Sequence, residues 1–371
     1  MIMRVFCPDC GERDDLSPQR FRCHCGGAWE FEEPAGFEPD LIDQADNSMW
    51  RYHKLFGLDF DAPLVRMGAG GTPLLSAVLD GRTVSLKPEY FAPTSSFKDR
   101  GTAVMINILA NQGVAHVADD SSGNAGASVA AYAARAGMQA DIFVPAHASP
   151  AKQAQIAVYG ANVRPIPGPR GNAKVAALEA TQEGITLASH AYHPGFLLGQ
   201  QSLAWEVWEQ MGRRAPDYYV VPVGQGVHLL GVWLGFRRLQ AAGLVEHVPR
   251  FVAVQPALMP PLCRAFEAGL DAVPTVEPSE PSVAEGLAIA APVRGRRLLQ
   301  AVRDSGGTCI TVEEEPIHAA RRLLARQGFY VEPTSATVVA ALDQVTALAG
   351  PDATIVIPLT GSGLKGSPIL E

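Results

Sequence analysis

Short runs of β-branched and aromatic residues alternate with longer Ala-rich stretches along most of this chain, a pattern that predicts strands separated by crossover helices. In the first half, strands are expected over 114–119, 140–145, 163–166 and 186–188, with helices over 126–136, 150–159 and 172–183 between them. In the second half, strands are expected over 218–223, 251–255, 308–312 and 354–359, with helices over 229–242, 261–268 and 314–327. That order belongs to α/β architecture built on parallel sheet. Residues 40–56, carrying Trp50 and Tyr52, read as a helix joining the N-terminal segment to the main body. Pro274–Pro281 reads as a surface loop, and Arg294, Arg296 and Arg297 as a solvated helix start. No repeat of fixed period is visible.

Composition narrows the possibilities. The 371 residues are 47% hydrophobic, enough apolar side chain for sizeable cores, so disorder is not expected. Thirty Lys and Arg against thirty-eight Asp and Glu give a formal charge of −8, which removes the global electrostatic support for nucleic-acid binding. No stretch approaches the roughly 18 to 20 apolar residues that span a bilayer, and the segment Met1–Cys7 lacks a secretory apolar core. The expectation is a cytoplasmic protein with neither membrane nor nucleic acid as partner.

Four of the six cysteines crowd into one short segment: Cys7, Cys10, Cys23 and Cys25. Two closely spaced thiolate pairs can meet across a hairpin and offer Zn²⁺ a four-sulfur shell, with Gly11, Gly26 and Gly27 where the backbone must bend. A metal-free remnant packed on the body is the alternative, and a catalytic zinc is disfavoured because no coordination position stays open. His24 reads as exposed, not as a ligand, while Cys263 and Cys309 read as buried structural thiols.

Open parallel sheets place ligands at the carboxyl ends of their strands, and four polar or Gly-rich segments fall there. Pro93–Gly101 holds Lys98 at a helix start, where an ammonium is disfavoured and an amine can act as nucleophile; a surface lysine paired with Asp99 is the alternative. Ser121-Ser122-Gly123-Asn124-Ala125-Gly126 follows a strand and opens a helix, a turn whose amides suit a carboxylate or phosphate. Pro222–His228 repeats that arrangement with Gly224 and Gly226; its loose Gly-x-Gly keeps a nicotinamide cofactor open, although no acidic residue ends the next strand. Thr360, in Leu359–Gly366, puts a hydroxyl at the tip of the last strand. A lysine amine, two anion-binding turns and a strand-end hydroxyl together meet the needs of pyridoxal phosphate.

The runs Thr94–Gly101, Ser122-Gly123-Asn124, Val331–Ala336 and Thr360–Lys365, with Gly70–Leu74, resemble the pyridoxal-phosphate enzymes of fold type II, most closely the threonine synthase family. The resemblance covers nearly the whole chain and includes the cysteine-bearing start. It implies two open parallel-sheet α/β domains: a large one over 35–103 and 196–371 that binds the cofactor, and a small one over 104–195, preceded by a zinc-ribbon-like segment over 1–34. It further implies Lys98 as the lysine bonded to the cofactor aldehyde and as proton carrier, and Asn124 on the ring oxygen. Gly224, Gln225, Gly226, Val227 and His228 would cradle the cofactor phosphate, and Thr360 would face the pyridine nitrogen. Ser96, Ser121, Ser122, Gly123 and Ala125 would receive the amino-acid substrate, and the family is commonly homodimeric. The reaction implied is elimination or replacement at the β or γ carbon, with O-phosphohomoserine to threonine the best-named case.

The chain also departs from that family. His190, Ala191 and Phe196 stand where members usually carry the Asn, Ser and Arg that hold the substrate phosphate, so a guanidinium fork is replaced by a phenyl ring. His190 and Phe196 are therefore the candidate residues for substrate choice, with His193 able to join an altered phosphate site. Ala92, Ser95 and Val227 replace Asn, Gly and Gly. These departures keep a second reading open, a threonine or serine ammonia-lyase or a β-replacement enzyme acting on an unphosphorylated amino acid. A zinc-ribbon binding module on an inactive body is the reading from outside enzymology.

Overall fold

The N-terminal strands are short because little apolar sequence supports them. The computed structural model describes residues 3–32, 36–60, 65–148, 150–276 and 280–366. In it, β1 (Arg4–Phe6) pairs antiparallel with β2 (Arg13–Asp15) and β3 (Glu30–Phe31). Their shared core is Val5, Cys7, Cys23 and Trp29, too small to hold a fold without a staple.

The helix expected over 40–56 does not form as one element. Instead there are two 3₁₀ segments, Pro39–Leu41 and Met49–Phe56. Between them Asp43 accepts from the Ala45 amide at 2.9 Å and Asp46 from the Ser48 amide at 2.8 Å, local bonds that compete with helix.

From there the chain runs β4 (Leu75–Leu79), β5 (Arg82–Pro88), α1 (Lys98–Asn111), β6 (His116–Asp119), α2 (Asn124–Arg135), β7 (Gln139–Pro145), α3 (Pro150–Val158), β8 (Asn162–Ile166), α4 (Arg170–Ala180), β9 (Thr186–Leu187) and α5 (Pro194–Gln210). It continues β10 (Tyr218–Pro222), α6 (Val227–Ala241), β11 (Arg250–Pro256), α7 (Pro261–Glu267), α8 (Gly295–Asp304), β12 (Thr308–Val312), α9 (Glu314–Arg326), α10 (Pro333–Ala340), α11 (Leu342–Ala349) and β13 (Ile355–Leu359). Every strand expected from the sequence is present within two residues of its ends. The expected loop at Pro274–Pro281 carries residues 277–279, which lie outside the described set.

Two compact units divide the chain. The first comprises Met1–Ala35, Pro39–Gly70 and Ala92–Gly199, and contains a parallel sheet in the order β8-β7-β6-β9. The second comprises Gly36–Glu38, Gly71–Phe91 and Gln200–Glu371, and contains a sheet in the order β12-β11-β10-β13-β5-β4, parallel except for the edge strand β4. Its core joins Val220, Val252, Val254, Ile310 and Ile357 to Ile317, Leu324 and Val338 of the covering helices. Because helices cover the faces of such a sheet, its central strands read as continuous apolar runs and not as alternations.

Two expectations need correction. Arg296 is exposed as expected, but Arg294 is only 3% exposed at the start of α8, and the half-buried Arg297 lies 4.9 Å from the Trp233 ring centroid, a geometry that guanidinium favours. Cys263 is buried as expected, but Cys309 is only half-buried, because β12 is an edge strand.

Candidate active site

In the first unit the strand order reverses between β6 and β9, so the loops leaving these neighbours diverge and open a crevice at their carboxyl ends. The loop after β6 carries Ser121, Ser122 and Gly123 into α2, which opens at Asn124 and Ala125; the loop after β9 carries His190 towards α5 and Phe196. Gly126 makes the first turn possible, since a Cβ there would overlap the Ser121 carbonyl oxygen. The Ser121 hydroxyl accepts from the Gly123 amide at 3.3 Å, and no side chain caps α2. The leading amides of α2 remain uncapped by side chains, an arrangement suited to an anion.

Lys98 is the first residue of α1. The loop before it turns through Ser95, whose φ of 61° is left-handed and accounts for the glycine usual at this position. Asp99 fastens that loop to α2: its carboxylate accepts from the Thr94 amide, the Thr94 hydroxyl and the Ser128 hydroxyl, each at 2.6 Å. The Lys98 Nζ lies 4.6 Å from the Phe97 ring centroid and 5.7 Å from that of Phe196. Phe196 is fully buried, its ring so close to the backbone that a Cβ on Gly101 would sit 2.5 Å from it. The hydroxyl of Ser96 is enclosed in the protein and meets no hydrogen-bond partner among the described residues.

Asp119, not singled out from the sequence, ends β6 and is 0% exposed. Neither of its carboxylate oxygens meets a hydrogen-bond partner in good geometry. Burial pushes its acid well up, and the neighbouring Asp120 adds to this; Lys98 and the Ser121 and Asp120 amides oppose it only in part. Burial likewise pushes His190 well below the ordinary imidazole range, with Lys98 and Arg170 acting in the same direction. The unfolded chain releases the Asp119 proton near 4, whereas the folded chain holds it to higher pH. Folding therefore takes up a proton between those values, and stability falls as pH rises through that window. The Asp119→Asn variant is expected to melt above the parent by a margin larger at pH 8 than at pH 5, about 2–4 °C per kcal/mol removed. Identical pH dependence of the two melting curves would contradict this.

In the second unit the order reverses between β10 and β13. Gly224–His228 follows β10 and Thr360 follows β13, so these candidates also meet at one switch point. A Cβ on Gly224 would lie 2.7 Å from the Gly286 carbonyl oxygen, Gly226 has φ 75°, and α6 has no side-chain cap. The glycines here answer to close packing on Gly286 and Leu298, and the uncapped start of α6 is the feature that suits a phosphate. Val227 is buried, and the His228 Nε2 is 2.8 Å from the Tyr219 hydroxyl. Gln225 has a structural task, accepting from the Val293 amide at 3.0 Å. Thr360 is 1% exposed, with its hydroxyl 2.9 Å from that of Ser335, which itself accepts from the Gly361 amide at 2.8 Å. Ser335 lies inside the motif run Val331–Ala336, and only the fold shows it to be the partner of Thr360.

The four clustered cysteines come together. The Cys7 and Cys25 sulfurs are 3.5 Å apart, as are those of Cys10 and Cys23, and all four lie within 4.8 Å of one another. A tetrahedral zinc with sulfurs at about 2.3 Å separates them by about 3.8 Å, so the set fits that ion. The Gly27 amide brings the Cys25 thiol down to about 7. His24 is exposed, and its Nδ1 meets the Glu12 carboxylate.

A family model described as pyridoxal-phosphate dependent enzyme matches residues 65–361. Threonine synthase from Methanocaldococcus jannaschii is 31% identical over 97% of this chain and 92% of its own. Threonine synthase from Methanosarcina acetivorans is 35% identical over 86% and 80%. Among solved structures, a threonine deaminase from T.th. superposes with a TM-score of 0.69 at 29% identity, over 80% of this chain and 94% of its own. Maize serine racemase gives a TM-score of 0.69 at 25% identity, over 79% and 88%.

Proposed function

Because this chain belongs to the pyridoxal-phosphate-dependent enzymes and, within them, to the threonine synthase family, we propose that it is a threonine synthase, a lyase that converts O-phosphohomoserine and water to threonine and phosphate. The likeness to the Methanocaldococcus jannaschii enzyme along almost both full lengths is the observation that carries this reading. The wild-type protein is expected to release threonine and phosphate in equal amounts from O-phosphohomoserine. Formation of a 2-oxo acid from threonine or serine, with no phosphate released from O-phosphohomoserine, would overturn it. The buried ring of Phe196, where an arginine is usual, favours that second outcome and keeps an ammonia-lyase or β-replacement enzyme as the other reading.

When bound, the cofactor supplies an aldehyde and an electron-withdrawing ring that acidify the substrate's α-carbon. Lys98 would hold the aldehyde, then take the α-proton on its freed amine and return protons along the side chain. Hydroxyls of Ser96, Ser121 and Ser122, with amides of Gly123 and Ala125, would bind the substrate carboxylate and fix the Cα–H bond towards Lys98. Asn124 would donate to the ring oxygen, and Gly224–His228 would offer amides to the cofactor phosphate. Thr360, a neutral hydroxyl held by Ser335, would leave the pyridine nitrogen largely unprotonated, which favours elimination and replacement over transamination.

The sequence boundaries of a small domain at 104–195 within a larger one, a homodimer and a cytoplasmic location belong to the same proposal. Among the described residues no helix is long and apolar enough to cross a membrane. Zinc is assigned to Cys7, Cys10, Cys23 and Cys25. Metal analysis of the purified protein should find about one zinc per chain, and Cys10→Ser should reduce it several-fold. A metal-free protein with unchanged melting temperature would leave this segment as a remnant.

A further inference from the structure

Helix α4 begins on the carboxyl side of β8 and packs against β7, β8 and β6, so its first turn lies at the end of the sheet where the Ser121 turn and His190 are found. Its first residue is Arg170, and Lys174 follows one turn later on the same face. Both are exposed, and among the described residues neither forms an ion pair with a carboxylate. The Lys174 Nζ lies 5.6 Å from the ring centroid of Tyr192, two residues beyond His190. The amides of Tyr192 and His193 both donate to the Ser189 carbonyl, at 3.3 and 2.9 Å, which fixes this loop beside α4. The Nδ1 of His190 is enclosed and meets no hydrogen-bond partner among the described residues.

We propose that Arg170, Lys174 and His190 form the subsite that takes an anionic group on the substrate's side chain, the place an arginine at position 196 would otherwise serve. This rests on the reading of the chain as an enzyme acting on a phosphorylated amino acid. The surroundings agree with it: burial raises the acids of Asp119 and Asp120, and Arg170 and Lys174 lie close enough to Asp120 to oppose that rise in part. A neutral His190 gives a directed N–H bond without a desolvated charge, and the exposed guanidinium and ammonium supply the countercharge.

The test compares the holoenzyme with its Arg170→Gln/Lys174→Gln double variant. Steady-state kinetics with O-phosphohomoserine is combined with calorimetric titration of inorganic phosphate and spectral titration of unphosphorylated homoserine. The KM for O-phosphohomoserine should rise by about 30-fold or more with kcat within about threefold, phosphate affinity should fall by about tenfold, and homoserine binding should stay within about twofold. Arg170→Lys, which keeps the charge, should recover most of the loss. An unchanged KM, or an equal loss of homoserine affinity, overturns the subsite while leaving the reaction reading in place. If the wild-type enzyme does not turn over O-phosphohomoserine, the reaction reading fails separately; the subsite then stands only if inorganic phosphate binds the wild type and the double variant loses it.

Discussion

Lys98→Ala is expected to abolish turnover, a loss of about 10⁴-fold or more, and with it the visible absorbance of the cofactor, while leaving the fold intact. Lys98 opens α1, acts electrostatically on Asp119 at the end of β6 and lies 5.7 Å from the Phe196 ring centroid, so the proposed role asks this one amine both to hold an aldehyde and to carry the α-proton. The side chain is half-buried, so its truncation removes little packing, and the melting temperature of the cofactor-free variant should stay within about 3 °C of the cofactor-free parent. Turnover at even a tenth of the parent rate would remove Lys98 from this role.

The second large effect lies in the second unit, at the motif around Gly71 and Thr72. Lys87 is 0% exposed and donates to the Glu206 carboxylate at 2.5 Å, to the Gln210 side chain at 2.8 Å and to the Thr72 carbonyl at 2.6 Å. Glu206 also accepts from the Gly71 amide at 3.0 Å and the Thr72 hydroxyl at 3.2 Å, and that hydroxyl reaches Glu89 at 2.6 Å. Glu206→Ala takes the Glu206 carboxylate away from the buried Lys87 ammonium, and is expected to cost about 3–5 kcal/mol in urea denaturation. Lys87→Met in the same chain should recover a large part of that loss, because the penalty is the stranded charge and not the missing contact. If the two substitutions simply add, the ion pair is not what stabilises this motif.

The parallel strands were legible because burial on both faces forces continuous apolar runs, and the turns of the site because helix starts that receive an anion need glycine and small polar residues. Other elements left weaker traces. Helix α5 is buried from Pro194 to Trp208, so it lacks the polar face on which helical periodicity depends. The β4–β5 hairpin did carry a signal, Asp80-Gly81, whose φ values of 47° and 81° are those of a two-residue hairpin turn, but its flanking strands alternate only weakly. Asp119 read as the polar end of a strand, and only the packing around β6 reveals an acid enclosed beside Lys98. Ser335 and Glu206 act on partners far away in sequence, Thr360 and Thr72, and no local pattern encodes such pairs. Phe196 was the opposite case, visible at once as a departure, while the burial of its ring near Lys98 is seen only in the fold.

The most direct test of Lys98 as the cofactor-holding residue is borohydride reduction of the purified holoenzyme followed by peptide mass mapping. Reduction should fix one pyridoxyl group per chain on the peptide that contains Lys98. A mark on another lysine, or a protein that retains no pyridoxyl group, would contradict the assignment of this site.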